Sequence, residues 1–343
     1  MVADFYQWLD TTATDWWYDS AVLSAIPGVV ADGCVGVTTN PLLLRRALTG
    51  RPQEFAEMVQ AVRPAAPGDA RVVAFMQAVL PTIAAHLRPA YDASDGRVGY
   101  VCSQVNPRFA GDAAAMWDQA QEIHTWAPNL AIKLPATAAG LAVMERCVGL
   151  GITTVITIGF SYAQSVAVAR RYDAAVAAVR APAPATQPGR CFTVLMVGRL
   201  NEFLADVALD HGSDVGPDDL SQAGTAVSQK IARWLEANGS QAALMASGFR
   251  DTRQVTALIG RNVHLSIGPD ILANLVAAGA GVPGPDVAPE TIARLRTIRE
   301  FRQAYDDDGL DETEFIGYGA VQRTLTQFEW DGWRSMADRL DQA

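Results

Sequence analysis

Lysine is nearly absent from this chain. Of its 27 Lys and Arg side chains only Lys133 and Lys230 are lysine, so arginine carries almost all the positive charge. That scarcity narrows any search for a nucleophilic amine to two positions. Cysteine is sparse as well: Cys34, Cys102, Cys147 and Cys191 form no CxxC pair, which leaves neither a dithiol motif nor a disulfide framework. Cys34, Cys102 and Cys191 fall in or beside apolar runs, where small buried hydrophobes are expected. The histidines, His86, His124, His211 and His264, are scattered and build no cluster with metal-ligand spacing, so no metal site is expected. His264 lies beside a strand end, where a hydrogen-bonded structural role is the plain reading.

Positive charge is in deficit overall. A net charge of -10 argues against nucleic-acid partners and anionic membranes, which favour basic surfaces. It does not exclude a small anion held by a local arginine cluster. The first residues lack the basic and apolar regions of a signal peptide, and no apolar run approaches the span of a membrane helix. A cytoplasmic protein without a membrane partner is the default expectation.

What the chain does have is a regular alternation. Short β-rich runs read as strands at Phe5–Leu9, Val35–Thr38, Val98–Ser103, Leu130–Leu134, Thr153–Ile158, Phe192–Val197, Ala242–Ala246 and Val263–Ile267. Most are continuous apolar stretches, as parallel strands covered on both faces require. Amphipathic or alanine-rich stretches such as Ala113–Trp126, Ala138–Leu150, Tyr162–Val179 and Leu220–Ala237 lie between them. About eight such units predict a single α/β domain over residues 1–343, a (β/α)8 TIM barrel. A doubly wound open sheet is the runner-up, but no Gly-x-Gly-x-x-Gly turn follows the first strand. The stretch Gly319–Leu340 reads as an additional C-terminal helix, with Phe328, Trp330, Trp333 and Met336 on its apolar side and a place over the barrel.

Functional groups of such barrels gather at the C-terminal ends of the strands. Those ends read, in order, Asp10, Thr38-Thr39-Asn40, Gln104, Lys133, Thr157, Arg199, Arg250 and Ser266. Lys133 stands inside the apolar run Leu130-Ala131-Ile132-Lys133-Leu134-Pro135, where desolvation favours the neutral amine that Schiff-base chemistry on a carbonyl needs. Taken singly, each residue has a plain explanation: a snorkelling lysine, a capping aspartate, a turn at Asn40-Pro41, surface arginines. Together they form an amine, a proton-transfer carboxylate, polar groups for hydroxyls and two guanidinium groups.

Here the chain resembles a family. Gly36-Val37-Thr38-Thr39-Asn40-Pro41 is similar to the N-terminal signature of transaldolases, and Ala131-Ile132-Lys133-Leu134-Pro135-Ala136-Thr137-Ala138-Ala139-Gly140 to their active-site lysine segment. Gly151-Ile152 through Thr157-Ile158-Gly159-Phe160-Ser161-Tyr162-Ala163-Gln164, then Val197-Gly198-Arg199 and Ser247-Gly248-Phe249-Arg250, complete the series in family order. The resemblance implies that Lys133 forms a Schiff base with a phosphorylated ketose and that Asp10 moves the proton as a carbon-carbon bond breaks. It implies that Thr38 and Asn40 orient the lysine and the substrate hydroxyls, and that Arg199 and Arg250 hold the phosphate. The partners are then a sugar phosphate donor and an aldehyde acceptor, with no organic or metal cofactor, in carbohydrate metabolism of the pentose phosphate kind. A homodimer stays open.

The sequence also departs from that pattern. Gln104 stands where transaldolases place a water-activating glutamate, as in the fructose-6-phosphate aldolase branch; an amide holds a water but cannot take its proton. Val155 and Val194 replace an asparagine and a serine that contact the three-carbon unit, which predicts a shift towards a deoxy donor such as hydroxyacetone. Gly248 interrupts the usual Ala-Ser-Phe-Arg and predicts a reshaped phosphate pocket. The leading expectation is a transaldolase-type transferase. The alternatives are an aldolase-type lyase and, from another class, a sugar-phosphate binding protein without catalysis.

Overall fold

In the computed structural model, which describes residues 4–279 and 281–343, eight parallel strands close into a barrel in chain order. They are β1 (Asp15–Asp19), β2 (Gly36–Thr38), β3 (Tyr100–Gln104), β4 (Leu130–Pro135), β5 (Thr154–Thr157), β6 (Cys191–Met196), β7 (Ala243–Ser247) and β8 (His264–Ile267). β8 returns to β1 in register from Asp15 opposite His264 to Tyr18 opposite Ile267, which seals the ring. The expected (β/α)8 architecture is the observed one, and each strand reading from Val35–Thr38 onward overlaps β2 to β8. Every residue of β3, β4, β5 and β6 is buried, as helices on the outside and packed side chains on the inside demand.

The first strand reading is a correction. Phe5–Leu9 is a short helix whose Asp4 side chain caps the Tyr6 N–H at 3.1 Å. Phe5 and Leu9 are its buried residues, four apart, so the apolar pattern there has helical rather than strand period. β1 is instead the aromatic run Asp15-Trp16-Trp17-Tyr18-Asp19. This moves the carboxylate at the first strand end from Asp10 to Asp19.

Aromatic rings fill the lower interior. Trp17 of β1 meets Phe192 of β6 with ring centroids 5.2 Å apart, and His264 of β8 lies 4.9 Å from Phe192. β1 and β6 are not neighbours in the sheet, so these rings touch across the inside of the barrel. The Trp17 indole N–H donates to His264 Nδ1 at 3.2 Å. Gly36 of β2 leaves the ring its space: a Cβ there would stand 2.4 Å from Trp17 Cε3.

Two helical segments differ from expectation. Asp69–Ala93 is, by length and composition, long and apolar enough to cross a membrane, although no such run was expected. Its buried residues, among them Val72, Phe75, Met76, Val79, Leu80, Ile83 and Leu87, form one face spaced by three and four, the pattern of a core-covering helix. The C-terminal segment runs as Gly319–Gln327, a π-helical stretch Phe328–Arg334 and Ser335–Asp341. Phe328, Trp333 and Met336 are buried, but Trp330 is 55% exposed, with the Arg334 guanidinium 4.0 Å over its ring. The wider π turn advances each residue by a smaller angle, so a helical wheel drawn at 3.6 residues misplaces Trp330.

All four cysteines are buried and free, in keeping with their apolar neighbourhoods, and burial pushes each thiol up to about 12.

Candidate active site

At the C-terminal mouth of the barrel lies a cavity of about 430 Å³. Lys133 projects into it from β4 and is 6% exposed, its Nζ donating to the Thr39 carbonyl at 3.2 Å. That carbonyl is itself fixed, because the Thr39 hydroxyl donates to Cys102 O at 2.7 Å on β3. Asp19 enters from β1, and the Thr38 hydroxyl donates to its Oδ1 at 2.6 Å. Ser266 of β8 reaches the same Thr38 hydroxyl, also at 2.6 Å. Asn40 caps the helix Pro41–Gly50 by accepting from the Leu43 N–H at 2.9 Å, which aims the rest of its amide at the cavity.

The other wall is apolar. Val194 and Met196 of β6 and Met245 of β7 line it, with Val194 and Met245 direct cross-strand partners. Val155, the cross-strand partner of Lys133 on β5, is wholly buried and outside the cavity lining. Gln104 faces the same side as Lys133, its direct partner on β3, and its Oε1 is buried without a protein hydrogen bond. Thr157, at the end of β5, has a hydroxyl in the same condition. Directly after it, Ile158 takes φ 59°, unusual for a β-branched residue. Gln164 braces that turn, accepting from the Phe160 and Ser161 N–H groups at 2.9 and 3.1 Å and donating to Ala136 O at 2.8 Å.

Above the amine the cavity is rich in guanidinium groups: Arg46, Arg199, Arg250 and Arg323. Arg250 is engaged by Glu202, Nε to Oε1 at 2.6 Å and Nη2 to Oε2 at 3.2 Å, and its Nη1 donates to Gly248 O at 2.9 Å. Gly248 takes φ +68°, the left-handed turn that folds Arg250 back onto its own loop. Gly198 lets this loop approach: a Cβ there would lie 2.4 Å from Gly248 O. Arg199, in the first turn of the helix Val197–Asp210, donates to Gln327 Oε1 of the C-terminal segment, and its guanidinium lies 5.1 Å from the Phe328 ring centroid. Burial, helped by the neighbouring charge of Arg250, pulls the Arg199 guanidinium down to about 10.

Of the residues read from sequence, Lys133, Thr38, Asn40, Val194, Arg199, Arg250 and Ser266 thus meet in one cavity. Gln104, Thr157 and Val155 lie in the barrel wall outside its lining. Asp10 does not join them: it is exposed, and it precedes β1 at the opposite, N-terminal end of the barrel. Residues missed at that stage are Asp19, Arg46, Glu202, Met196, Met245, Arg323 and Gln327. Asp19 carried a signal, closing the aromatic β-run before the next turn. Gln327 and Arg323 carried none, since only the folded C-terminal segment places them.

Residues 16–332 match the family described as Transaldolase/Fructose-6-phosphate aldolase. Among characterised relatives, the transaldolase of Thiobacillus denitrificans is 32% identical over 167 residues, 48% of this chain and 46% of that one. Transaldolase 1 of Streptomyces avermitilis is 36% identical over 140 residues, 37% of this chain and 34% of that one. Transaldolase 2 of Streptomyces coelicolor reaches 37% identity over 140 residues, 37% of this chain and 35% of that one. The matched segments span less than half the length of these relatives.

Proposed function

The chain belongs to the transaldolase/fructose-6-phosphate aldolase family, and from that premise we propose that it moves a three-carbon ketol unit from a ketose phosphate to an aldehyde through a Schiff base on Lys133. The observation that carries this reading is a buried lysine amine at the barrel mouth, in one cavity with a carboxylate, hydroxyl-binding side chains and arginines. In this scheme Lys133 Nζ adds to the ketone carbon and expels water, giving an iminium. The Asp19 carboxylate takes the proton of the C4 hydroxyl as the C3–C4 bond breaks, the bonding pair moves into the iminium, and an aldehyde phosphate leaves. The resulting enamine adds to the acceptor aldehyde, Asp19 returns the proton to the new alkoxide, and water releases the product from Lys133. The protonated imine is itself the electron sink, and the substrate phosphate sits among the arginines.

Proton transfer passes to Asp19 because Asp10 is at the wrong end of the barrel. Thr39 rather than Asn40 or Thr38 holds the amine, through its carbonyl. Borohydride reduction in the presence of a ketose phosphate, with mass spectrometry of the Lys133 peptide, tests the scheme. An adduct on Lys133 supports it; no adduct across a broad donor panel sinks it and favours a binding protein.

Gln104 favours a second reading, a lyase that releases the free three-carbon ketone. The fructose-6-phosphate aldolase branch that the sequence resembles carries the same amide, which beside Lys133 can hold a water by hydrogen bonds. The C-terminal segment over the cavity weighs towards transfer. Turnover of a ketose phosphate with no acceptor separates the two: a lyase continues, while a transferase stalls after one equivalent. Gln104→Glu is expected to lower the share of free ketone per turnover.

A further inference from the structure

Two arginines of the cavity, Arg199 and Arg250, are not equivalent. Arg250 is spent: Glu202 engages it at two nitrogens and Gly248 O takes its Nη1. Arg199 is half-buried and, among the described residues, forms no salt bridge with a carboxylate, although the charges of Glu202 and Asp19 act on it from beyond ion-pair distance. Its only side-chain hydrogen-bond partner there is the neutral amide of Gln327, and the Phe328 face lies beneath it. A half-buried guanidinium beside a second arginine, hydrogen-bonded to an amide where a paired acid would neutralise it, stays available to an incoming anion. Both supports come from the C-terminal segment, at the point where Gly319–Gln327 passes into the π-helical stretch. Such stretches recur at functional positions, because the added residue redirects neighbouring side chains.

We propose that Gln327 is a charge-neutral positioning residue, which with Phe328 presents Arg199 as the principal phosphate receptor, while Arg250, locked to Glu202, braces the loop. This deepens the reading of the cavity as a sugar-phosphate site and rests on it. It also divides the labour between two arginines that the family resemblance treats as a pair.

Gln327→Glu tests it, since the substitution keeps the shape of the side chain and still accepts from Arg199. A merely structural hydrogen bond would survive or strengthen, whereas a carboxylate would neutralise the receptor. Titration with inorganic phosphate, followed by calorimetry, should show binding weakened by about tenfold or more in Gln327→Glu, with thermal stability unchanged or raised. KM for a ketose phosphate should rise by a similar factor while kcat stays within about twofold. Glu202→Gln, which frees Arg250, should leave phosphate binding equal or tighter. Unchanged or tighter phosphate binding in Gln327→Glu would overturn the proposal, as would a larger loss from Arg250→Gln than from Arg199→Gln. Borohydride trapping with unphosphorylated dihydroxyacetone runs alongside. Absence of a Lys133 adduct in the unsubstituted protein with dihydroxyacetone, hydroxyacetone and ketose phosphates alike would reject the Schiff-base scheme, whereas phosphate titration judges Gln327 independently of it.

Discussion

Thr38 gives its hydroxyl proton to Asp19 across the β1–β2 pair at 2.6 Å, so Ser266, 2.6 Å away on β8, must donate to Thr38. Three strands thereby hold one carboxylate in a fixed orientation. Asp19→Asn is expected to lower kcat by about 10²-fold or more, the usual share of a general acid-base group, while Asp10→Asn stays within about twofold because it alters only an exposed surface. Thr38→Val, nearly isosteric, removes one hydrogen bond and should cost about five- to tenfold in kcat/KM. Steady-state rates with a ketose phosphate and an acceptor aldehyde measure all three. Inactivity in Asp10→Asn with a fully active Asp19→Asn would reverse the assignment.

The side chains of Val194, Met196 and Met245 give their wall of the cavity no hydrogen-bond donor. The chain should therefore use hydroxyacetone at least as well as dihydroxyacetone. Val194→Ser should move the ratio of kcat/KM towards dihydroxyacetone by several-fold, corresponding to about 0.5–1.5 kcal/mol for one hydrogen bond. Competition between the two donors, read by product mass, gives the ratio directly. A strong preference for dihydroxyacetone in the unsubstituted protein would refute the altered-donor reading.

His264 carries a pH dependence of stability. Burial, with a smaller contribution from the Arg190 charge, holds its imidazole down at about 3 against an ordinary 6.5. Its Nδ1 already accepts from Trp17, so Asp15 Oδ2, 3.4 Å away, is a second acceptor rather than an ion-pair partner. Below pH 6.5 the unfolded chain binds a proton that the folded chain refuses, so stability present at neutral pH is lost as pH falls. The slope is about 1.4 kcal/mol per pH unit below the unfolded value. Burial raises the Asp15 carboxyl, which acts with the opposite sign, but in the carboxylate range. Burial also lowers the His124 imidazole, which acts with the same sign, so the difference in urea midpoints between the parent and His264→Asn from about pH 6.5 to 5 isolates His264, and the variant should flatten the profile in part. An equal slope in both proteins would exclude this origin.

Gly36→Ala should destabilise the barrel by about 1–3 kcal/mol through overpacking. The added methyl would press on Trp17, whose ring is 1% exposed and wedged against Phe192 and His264. Denaturant titration of the variant measures the loss. A midpoint unchanged from the parent would mean that the ring has room to shift.

The barrel was legible because most of its strands are apolar runs such as Leu130–Pro135, which only a twice-covered parallel sheet accommodates. Lys133 stood out against that run by contrast of chemistry alone. Asp19 was lost for a local reason: Phe5-Tyr6-Gln7-Trp8-Leu9 has strand-like composition, yet its Asp4 cap and its Phe5–Leu9 spacing make it a helix. Gln327 and Phe328 were illegible for a different reason. Their place depends on a π-helical turn and on a packing partner more than a hundred residues away, and neither leaves a trace in spacing.

Gly332 ties the two ends of the cavity together. A Cβ at this position would stand 2.9 Å from both Leu42 N and Pro41 Cβ, so the C-terminal segment rests directly on the turn that begins with Asn40. Asn40 and Lys133 line the cavity, and Gln327, five residues before Gly332, lines it beside Arg199. With no slack at this seam, the segment that carries Gln327, the partner of Arg199, and the turn that follows the Thr39 carbonyl held by Lys133 are expected to shift together rather than separately.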